Sequence, residues 1–181
     1  EPDMQLALRA RAQMEVELRH ALQHREFVLY YQPVVDANRT IVGVEALLRW
    51  NQPQRGMVSP GEFIPVAEQA GLILPLGQWV LEAACAQLVR WNDSPHTRNL
   101  SMAVNVSARQ FRHPEFTAQL LALLRVSGAN PFRLKLELTE SMLLTDIEDV
   151  IGKMSEIRAI GVNFSLDDFG TGYSSLSYLK R

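Results

Sequence analysis

The sequence of 181 residues contains a single cysteine, Cys85, and lacks a long uninterrupted apolar run. One cysteine can form neither a disulfide framework nor a cysteine metal site, which predicts a reducing, cytoplasmic location. The longest apolar region, residues 70–89, is interrupted by proline, glycine, glutamine and glutamate, so it is a poor candidate for a membrane span. The start, Glu-Pro-Asp, does not resemble a signal peptide. A membrane anchor of the parent protein would have to lie outside this chain.

The sequence also lacks a basic block, a low-complexity segment and an internal repeat. Its formal net charge is −2, which argues against a protein that binds nucleic-acid polymers. Apolar residues make up 47% of the chain and charged residues 21%, as is typical of globular proteins. The length allows one domain with a substantial core.

The first segment is predicted to be helical. Residues 3–24 carry leucine and valine among charged residues and have no glycine or proline inside, which predicts an amphipathic helix. Such a helix could be a docking helix or the end of a linker from an upstream domain. We therefore divide the chain into an N-terminal helix over 1–24 and a main domain over 25–181.

The main domain begins with two predicted strands, 27–35 and 41–50, joined by the turn-forming residues 36–40. So short a connection cannot cross over a sheet, so these strands should be antiparallel. Strands and helices then alternate, which predicts an α/β fold with a parallel sheet and right-handed crossovers. The further predicted strands are 99–106, 132–138 and 162–167, and the helices are 60–70, 76–92, 114–126 and 145–160.

Polar side chains follow the predicted strands towards their carboxyl ends, where active sites form in parallel α/β folds. These residues are Glu45, Asn105, Glu137, Asp167 and Asp168. Their carboxylate and amide oxygens are the ligands that Mg²⁺ or Mn²⁺ prefers over zinc. A site for a hard divalent cation is therefore predicted at this edge of the sheet.

Each of these residues has a simpler structural interpretation. Glu137 could be exposed on an edge strand, Asn105 could cap the turn at Ser107, and Glu45 could pair with Arg49 on the same strand face. The Asp-Asp pair could belong to a solvated turn. Their recurrence on successive strands favours a common site. The four histidines lie in predicted helices or loops, so we expect them to be surface residues and not ligands.

Six segments together carry a family resemblance. Residues 45–50 read Glu-Ala-Leu-Leu-Arg-Trp, and further motifs lie at 31–35, 63–68, 105–107, 137–140 and 167–175. In this order they resemble the EAL domain family, bacterial phosphodiesterases that hydrolyse cyclic di-GMP. The resemblance extends from about residue 15 to residue 181, and it is specific as a set.

The resemblance implies a modified TIM barrel whose first strand is antiparallel to the others. A complete TIM barrel needs about 250 residues, so this chain would hold only about the first five strands. A lysine that assists the attacking water, and a further metal-site glutamate, would lie on later strands. We therefore expect residues 1–181 to be part of a longer chain and to be inactive alone, because an unclosed sheet leaves open edges.

The resemblance also implies a two-metal hydrolysis of cyclic di-GMP to linear 5′-pGpG, with Mg²⁺ or Mn²⁺. Glu45, Asn105, Glu137 and Asp167 would hold one ion, and Asp167 and Asp168 would contribute to the second. Glu45, Asp167 and Asp168 would thereby be the catalytic residues. Substrate would contact Gln32 through a guanine and Arg49 through a phosphate. The regulatory loop would consist of Phe169, Gly170, Thr171, Gly172, Tyr173, Ser174 and Ser175.

The implied partners are cyclic di-GMP, a second copy in a homodimer, and upstream sensor or GGDEF-type domains. The alternative function is a catalytically silent EAL-like module that binds cyclic di-GMP as a sensor or mediates dimerisation. Silent members commonly lose metal-site carboxylates, whereas the five expected metal-site positions are intact here. Clustered charge without a ligand would be destabilising, which argues against a regulatory or dimerisation module that binds no ligand.

Overall fold

The computed structural model describes residues 2–139, 142 and 147–167, with side chains described for 4–139, 142 and 147–166. The helices are α1 (Pro2–Gln23), α2 (Pro60–Gln69), α3 (Ile73–Arg90), α4 (Ala108–Phe111), α5 (Phe116–Ser127) and α6 (Ile147–Ala159). The strands are β1 (Phe27–Val35), β2 (Ile41–Gln52), β3 (Gly56–Val58), β4 (Ser101–Asn105), β5 (Leu134–Thr139) and β6 (Asn163–Asp167). The predicted elements are present, although several ends are displaced. The short β3 and α4 were not predicted, because three or four residues are too few for a periodic pattern.

The hairpin of β1 and β2 is antiparallel, as the short turn predicted. The Asp36 carboxylate accepts hydrogen bonds from the amides of Asn38, at 2.8 Å, and Thr40, at 2.9 Å, which closes the turn. Arg39 adopts a left-handed conformation with φ of 61°. Backbone hydrogen bonds from Asp36 to Thr40 and from Arg39 to Asp36 add to this side-chain stabilisation of the turn.

The remaining strands form the predicted parallel sheet. The strand order is β1-β2-β4-β5-β6. The short β3 pairs with the carboxyl-terminal end of β2, whereas β4 pairs with an earlier part of β2. β2 to β4, β4 to β5 and β5 to β6 are all parallel pairs, connected by helices that cross over the sheet. The five strands on this path match the predicted first five strands of a barrel with an antiparallel first strand.

One face of the sheet forms the main core. Alternating strand residues such as Val44, Val104 and Leu136 are buried against the helices α3, α5 and α6. Burial of each such side chain contributes about 1.5–3 kcal/mol relative to exposure. Because side chains alternate along a strand, the intervening residues are left on the opposite face.

The second half of α1 packs on the sheet through a smaller core. Leu18 and Ala21 are buried beside Phe27 and Trp50. The rest of this cluster comes from β3, α2 and the beginning of α3, through residues such as Val58, Phe63 and Leu76. This half of the helix thus contributes to the core of the domain, while the boundary between 24 and 25 stays a prediction.

A buried carboxylate ties α1 to the hairpin. Glu26, nine-tenths buried, accepts a hydrogen bond from the Trp50 indole at 2.9 Å, and its other oxygen lies 2.9 Å from Nδ1 of His20. His20 is largely exposed, as expected, but it is not without a partner. Since a buried carboxylate without hydrogen bonds would be costly, these two contacts explain how Glu26 is tolerated inside.

None of the helices in the described ranges combines the length and the apolar composition needed to cross a bilayer. This agrees with the interrupted apolar pattern of residues 70–89. The cytoplasmic location itself stays a prediction.

Gly43 allows the close approach of β2 and β4, and this generates a prediction. A Cβ at position 43 would clash with the Ser101 Oγ and would lie 2.8 Å from the Ser101 carbonyl oxygen. The hydroxyl could rotate away, but the backbone carbonyl could not. We therefore expect Gly43→Ala to lower the free energy of opening of β2 and β4 by about 1–3 kcal/mol, a typical overpacking cost. Native-state hydrogen exchange of the intact protein, followed in peptides that contain β2 or β4, measures this free energy of opening.

The matched control for this change is Gly152→Ala in α6, where a Cβ would meet nothing within 4 Å. Because alanine is the better helix former, we expect α6 to be stabilised by about 0.5–1 kcal/mol. Equal effects of the two substitutions would contradict the close approach at Gly43.

Cys85 generates a second prediction. It is fully buried, and this burial raises the pKa of its thiol to about 11. The unfolded thiol has a pKa of about 8.5, so its deprotonation favours unfolding above that pH. The stabilising contribution is therefore present below about pH 8.5 and is lost as the pH rises through about 11.

The measurement is alkylation by iodoacetamide, followed by mass spectrometry of the peptide that contains Cys85. Only the thiolate reacts, so at pH 8 we expect labelling to be more than about a hundredfold slower in the folded protein than in denaturant. Equal rates in the two conditions would show that the thiol is accessible and ionisable in the fold.

Candidate active site

The strand register places the predicted polar residues on one face of the sheet. Gln32 lies opposite Glu45 in the hairpin, and Glu45 lies opposite Ala103 in β4. Two positions further along, Asn105 lies opposite Glu137. Paired residues of neighbouring strands point to the same side, as do alternate residues of one strand. The polar residues thus share the face that the helices do not cover.

The carboxyl end of β6 lies next to this group. Glu137 lies opposite Ser165, and Thr139 lies opposite Asp167 in the β5–β6 ladder. Asp167 is therefore at the predicted strand end, two positions beyond Ser165. Its side chain, and the residues from Asp168 to Ser175, lie outside the part of the chain that the structure describes.

Glu45 and Asn105 are in direct contact. The side-chain amide of Asn105 donates a hydrogen bond of 2.8 Å to Oε1 of Glu45. Because a carboxylate can only accept, the NH₂ group of Asn105 must face it, which leaves the amide oxygen for another partner. Asn105 does not cap the following turn: there the Ser107 hydroxyl accepts a hydrogen bond from the Gln110 amide at 3.1 Å.

Glu137 is not on an exposed edge. It is half-buried on β5, which lies between β4 and β6. Its Oε1 accepts a hydrogen bond of 2.9 Å from the Ser165 hydroxyl. A donor from the adjacent strand therefore holds each of the two glutamates, Asn105 for Glu45 and Ser165 for Glu137.

Arg49 contacts Tyr30 and its own strand, and no pairing with Glu45 is found between these described residues. Its guanidinium carbon lies 5.7 Å from the centroid of the Tyr30 ring, in the range of a cation–π contact. Its Nη1 donates to the carbonyl of Leu48 at 2.8 Å. Gln32, opposite Glu45, is exposed on the same face. Gln32 and Arg49, the two predicted substrate contacts, thus lie on the same sheet face as the expected oxygen ligands.

The sequence analysis did not identify Tyr30 and Ser165, which contact predicted site residues on this face. Tyr30 lies two positions before Gln32, and Ser165 lies two positions before Asp167. Strand periodicity would have placed both on the polar face. Nothing in the linear sequence, however, indicated that Tyr30 would lie under Arg49 or that Ser165 would reach Glu137.

The donor set fits a hard divalent cation. Glu45 and Glu137 offer carboxylate oxygens and Asn105 an amide oxygen, the ligand types of magnesium and manganese sites. Among the described side chains, no three His, Cys, Asp or Glu residues come close enough to hold a metal ion. Asparagine is outside those four types, and the two aspartates that would complete the site are not among the described side chains.

Comparison with known proteins agrees with this architecture. A sequence model of the EAL domain matches residues 15–181. The bifunctional diguanylate cyclase/cyclic di-GMP phosphodiesterase MucR of Pseudomonas aeruginosa is 44% identical over 182 aligned positions, covering 100% of this chain and 26% of MucR. The cyclic di-GMP phosphodiesterase PdeR of Escherichia coli is 39% identical over 168 positions, covering 93% of this chain and 25% of PdeR. The chain thus spans about a quarter of the length of these relatives.

Solved structures agree as well. The PaMucR phosphodiesterase in complex with c-di-GMP superimposes with a TM-score of 0.87 at 45% identity, over 92% of this chain and 68% of that one. The match by sequence, the match by structure and the clustered motif residues all lead to one assignment. The chain belongs to the EAL domain family.

Proposed function

We propose that this chain is part of a metal-dependent phosphodiesterase that hydrolyses cyclic di-GMP to linear 5′-pGpG. The observation that carries the proposal is the convergence of Glu45, Asn105 and Glu137 on one sheet face, with Asn105 bound to Glu45. The cyclic di-GMP phosphodiesterases named among its relatives, and the c-di-GMP bound by a similar structure, support the substrate.

Glu45, Asn105 and Glu137, together with Asp167 and Asp168, would hold two divalent cations. When bound, such ions supply an acidified water and stabilise the charge that develops on a phosphate. The chain contributes a fixed set of oxygen donors for them. The hydrogen bond from Asn105 restrains the Glu45 carboxylate, and the bond from Ser165 restrains that of Glu137.

Substrate orientation would come from β1 and β2. Tyr30 and the Leu48 carbonyl hold the Arg49 guanidinium on the site face, and its fork of donors suits a phosphate. The exposed amide of Gln32 offers both a donor and an acceptor to the edge of a guanine. The downstream lysine, the loop over 169–175, the homodimer and the upstream GGDEF-type domains stay predictions.

The first test is Glu45→Gln in the intact protein. Glutamine keeps the shape and an oxygen that can accept the hydrogen bond from Asn105, but it removes a negative ligand. We therefore expect an unchanged fold and a loss of cyclic di-GMP hydrolysis greater than about a hundredfold. Loss of a residue that only hydrogen-bonds to a metal ligand usually costs less, about 10- to 100-fold. Chromatography of the product 5′-pGpG measures the rate.

Glu82→Gln is the matched control. Glu82 lies on α3 and also accepts a hydrogen bond from a side-chain amide, that of Gln78, at 2.8 Å, but it is remote from the site face. This variant should retain normal turnover. Near-normal activity of Glu45→Gln would remove Glu45 from the mechanism. Binding of cyclic di-GMP by the unmodified protein without formation of 5′-pGpG would establish the silent receptor instead.

A further prediction concerns the identity of the cation. An all-oxygen site should support hydrolysis with Mg²⁺ or Mn²⁺, whereas Ca²⁺ should bind and support little turnover. Calcium accepts more ligands in a looser geometry and acidifies water less. The measurement is turnover of metal-depleted protein after addition of each ion alone. Strong activity with Ca²⁺ as the sole divalent cation would contradict a two-metal site of this kind.

A further inference from the structure

We propose that Ser165 is a positioning residue that sets the orientation of the Glu137 carboxylate towards the cation. This inference deepens the proposed function and rests on it for the identity of the ligand. In this proposal Ser165 is not assigned as a ligand, and its hydroxyl donates to Glu137. It acts through the carboxylate that it holds.

The geometry of the two strands makes this contact direct. Glu137 and Ser165 are paired in register in the β5–β6 ladder, and their side chains lie on the same face. The Ser165 Oγ is 2.9 Å from the Glu137 Oε1, within the range of an O–H···O bond. Both side chains are half-buried, so the bond is less exposed to competition from water than a surface contact.

The chemistry of the contact defines what it does. An ionised carboxylate can only accept, so the serine must donate its proton to Oε1. That bond occupies one acceptor position of Oε1 and restrains the rotation of the carboxylate, so that its orientation is set before a cation binds. Binding a metal restricts the rotation of a glutamate side chain, which costs conformational entropy. Because the bond to Ser165 already restricts that rotation, less entropy is lost when the metal binds.

Outer-sphere hydrogen bonds of this type commonly raise metal affinity by about 10- to 100-fold. Glu45 has the same arrangement, with Asn105 of the neighbouring strand as its donor at 2.8 Å. Asn105, however, is itself an expected ligand. Ser165, in contrast, would orient a ligand without being a ligand itself.

The test compares Ser165→Thr with Ser165→Val in the intact protein. Threonine and valine have nearly the same shape, and both suit a strand, but only threonine keeps the hydroxyl. Any strain from the added methyl group is therefore common to the two variants. Calorimetric titration with Mn²⁺, without substrate, measures the affinity of the site directly.

We expect Ser165→Val and Ser165→Ala to bind Mn²⁺ about 10- to 100-fold more weakly than Ser165→Thr and the unmodified protein. The Mn²⁺ concentration for half-maximal hydrolysis should rise by the same factor, while the rate at saturating Mn²⁺ should largely recover. A purely structural role would lower the saturated rate or the stability and leave the metal affinity unchanged.

Ser101→Ala provides the matched control. Ser101 is also on a strand of this sheet, and its hydroxyl donates to the Val42 carbonyl at 3.3 Å, four residues from Asn105 along β4. Ser101→Ala should leave the Mn²⁺ affinity within about twofold, since the hydroxyl that it removes contacts the Val42 carbonyl and not an expected ligand among the described side chains. An equal loss in Ser101→Ala and Ser165→Ala would overturn the assignment.

The outcomes separate this inference from the proposed function. Equal Mn²⁺ affinity in Ser165→Thr and Ser165→Val overturns the role of Ser165, whether or not cyclic di-GMP is hydrolysed. If the unmodified protein binds Mn²⁺ but forms no 5′-pGpG, the proposed enzyme is overturned, and the affinities still decide the role of Ser165. If the unmodified protein does not bind Mn²⁺ at all, both are overturned.

Discussion

The register of the parallel strands is the constraint on which the site depends. A shift of one residue in any strand would move its whole polar set to the opposite face. For β5 such a shift would place Glu137 among the buried leucines under the helices, and burial of a carboxylate there would cost several kcal/mol. The hydrophobic core therefore fixes the polar site indirectly, since the same alternation that buries Leu136 places Glu137 on the opposite face.

Within that register, short hydrogen bonds between neighbouring strands organise the carboxylates. Asn105 binds Glu45, and Ser165 binds Glu137. Neutral donors lower the cost of bringing these like charges near one another. The arrangement is preorganised because all four residues stand on strands and not on loops, so little of the orienting cost remains for metal binding.

The hairpin connects the site to the second core. Its β2 strand carries Glu45 and Arg49 on one face, and it also carries the buried Trp50. Trp50 is anchored by the Glu26 carboxylate, which follows α1. Packing of α1 and α2 around Trp50 thereby supports the strand that presents the expected metal and phosphate ligands.

Strand periodicity and the short turn at 36–40 were enough to predict the antiparallel hairpin, the parallel sheet and the convergence of Glu45, Asn105 and Glu137 at one edge. These features depend on local patterns, which a linear sequence records directly. The side-chain contacts of those residues could not be predicted in this way. Glu45 had Arg49 as its nearest candidate along the chain, yet it contacts Asn105, sixty positions away. Such contacts depend on how crossover helices set the register between strands, and only the tertiary structure decides that. The same reason applies to Tyr30 beneath Arg49, to Trp50 bound to Glu26, and to Ser165 opposite Glu137.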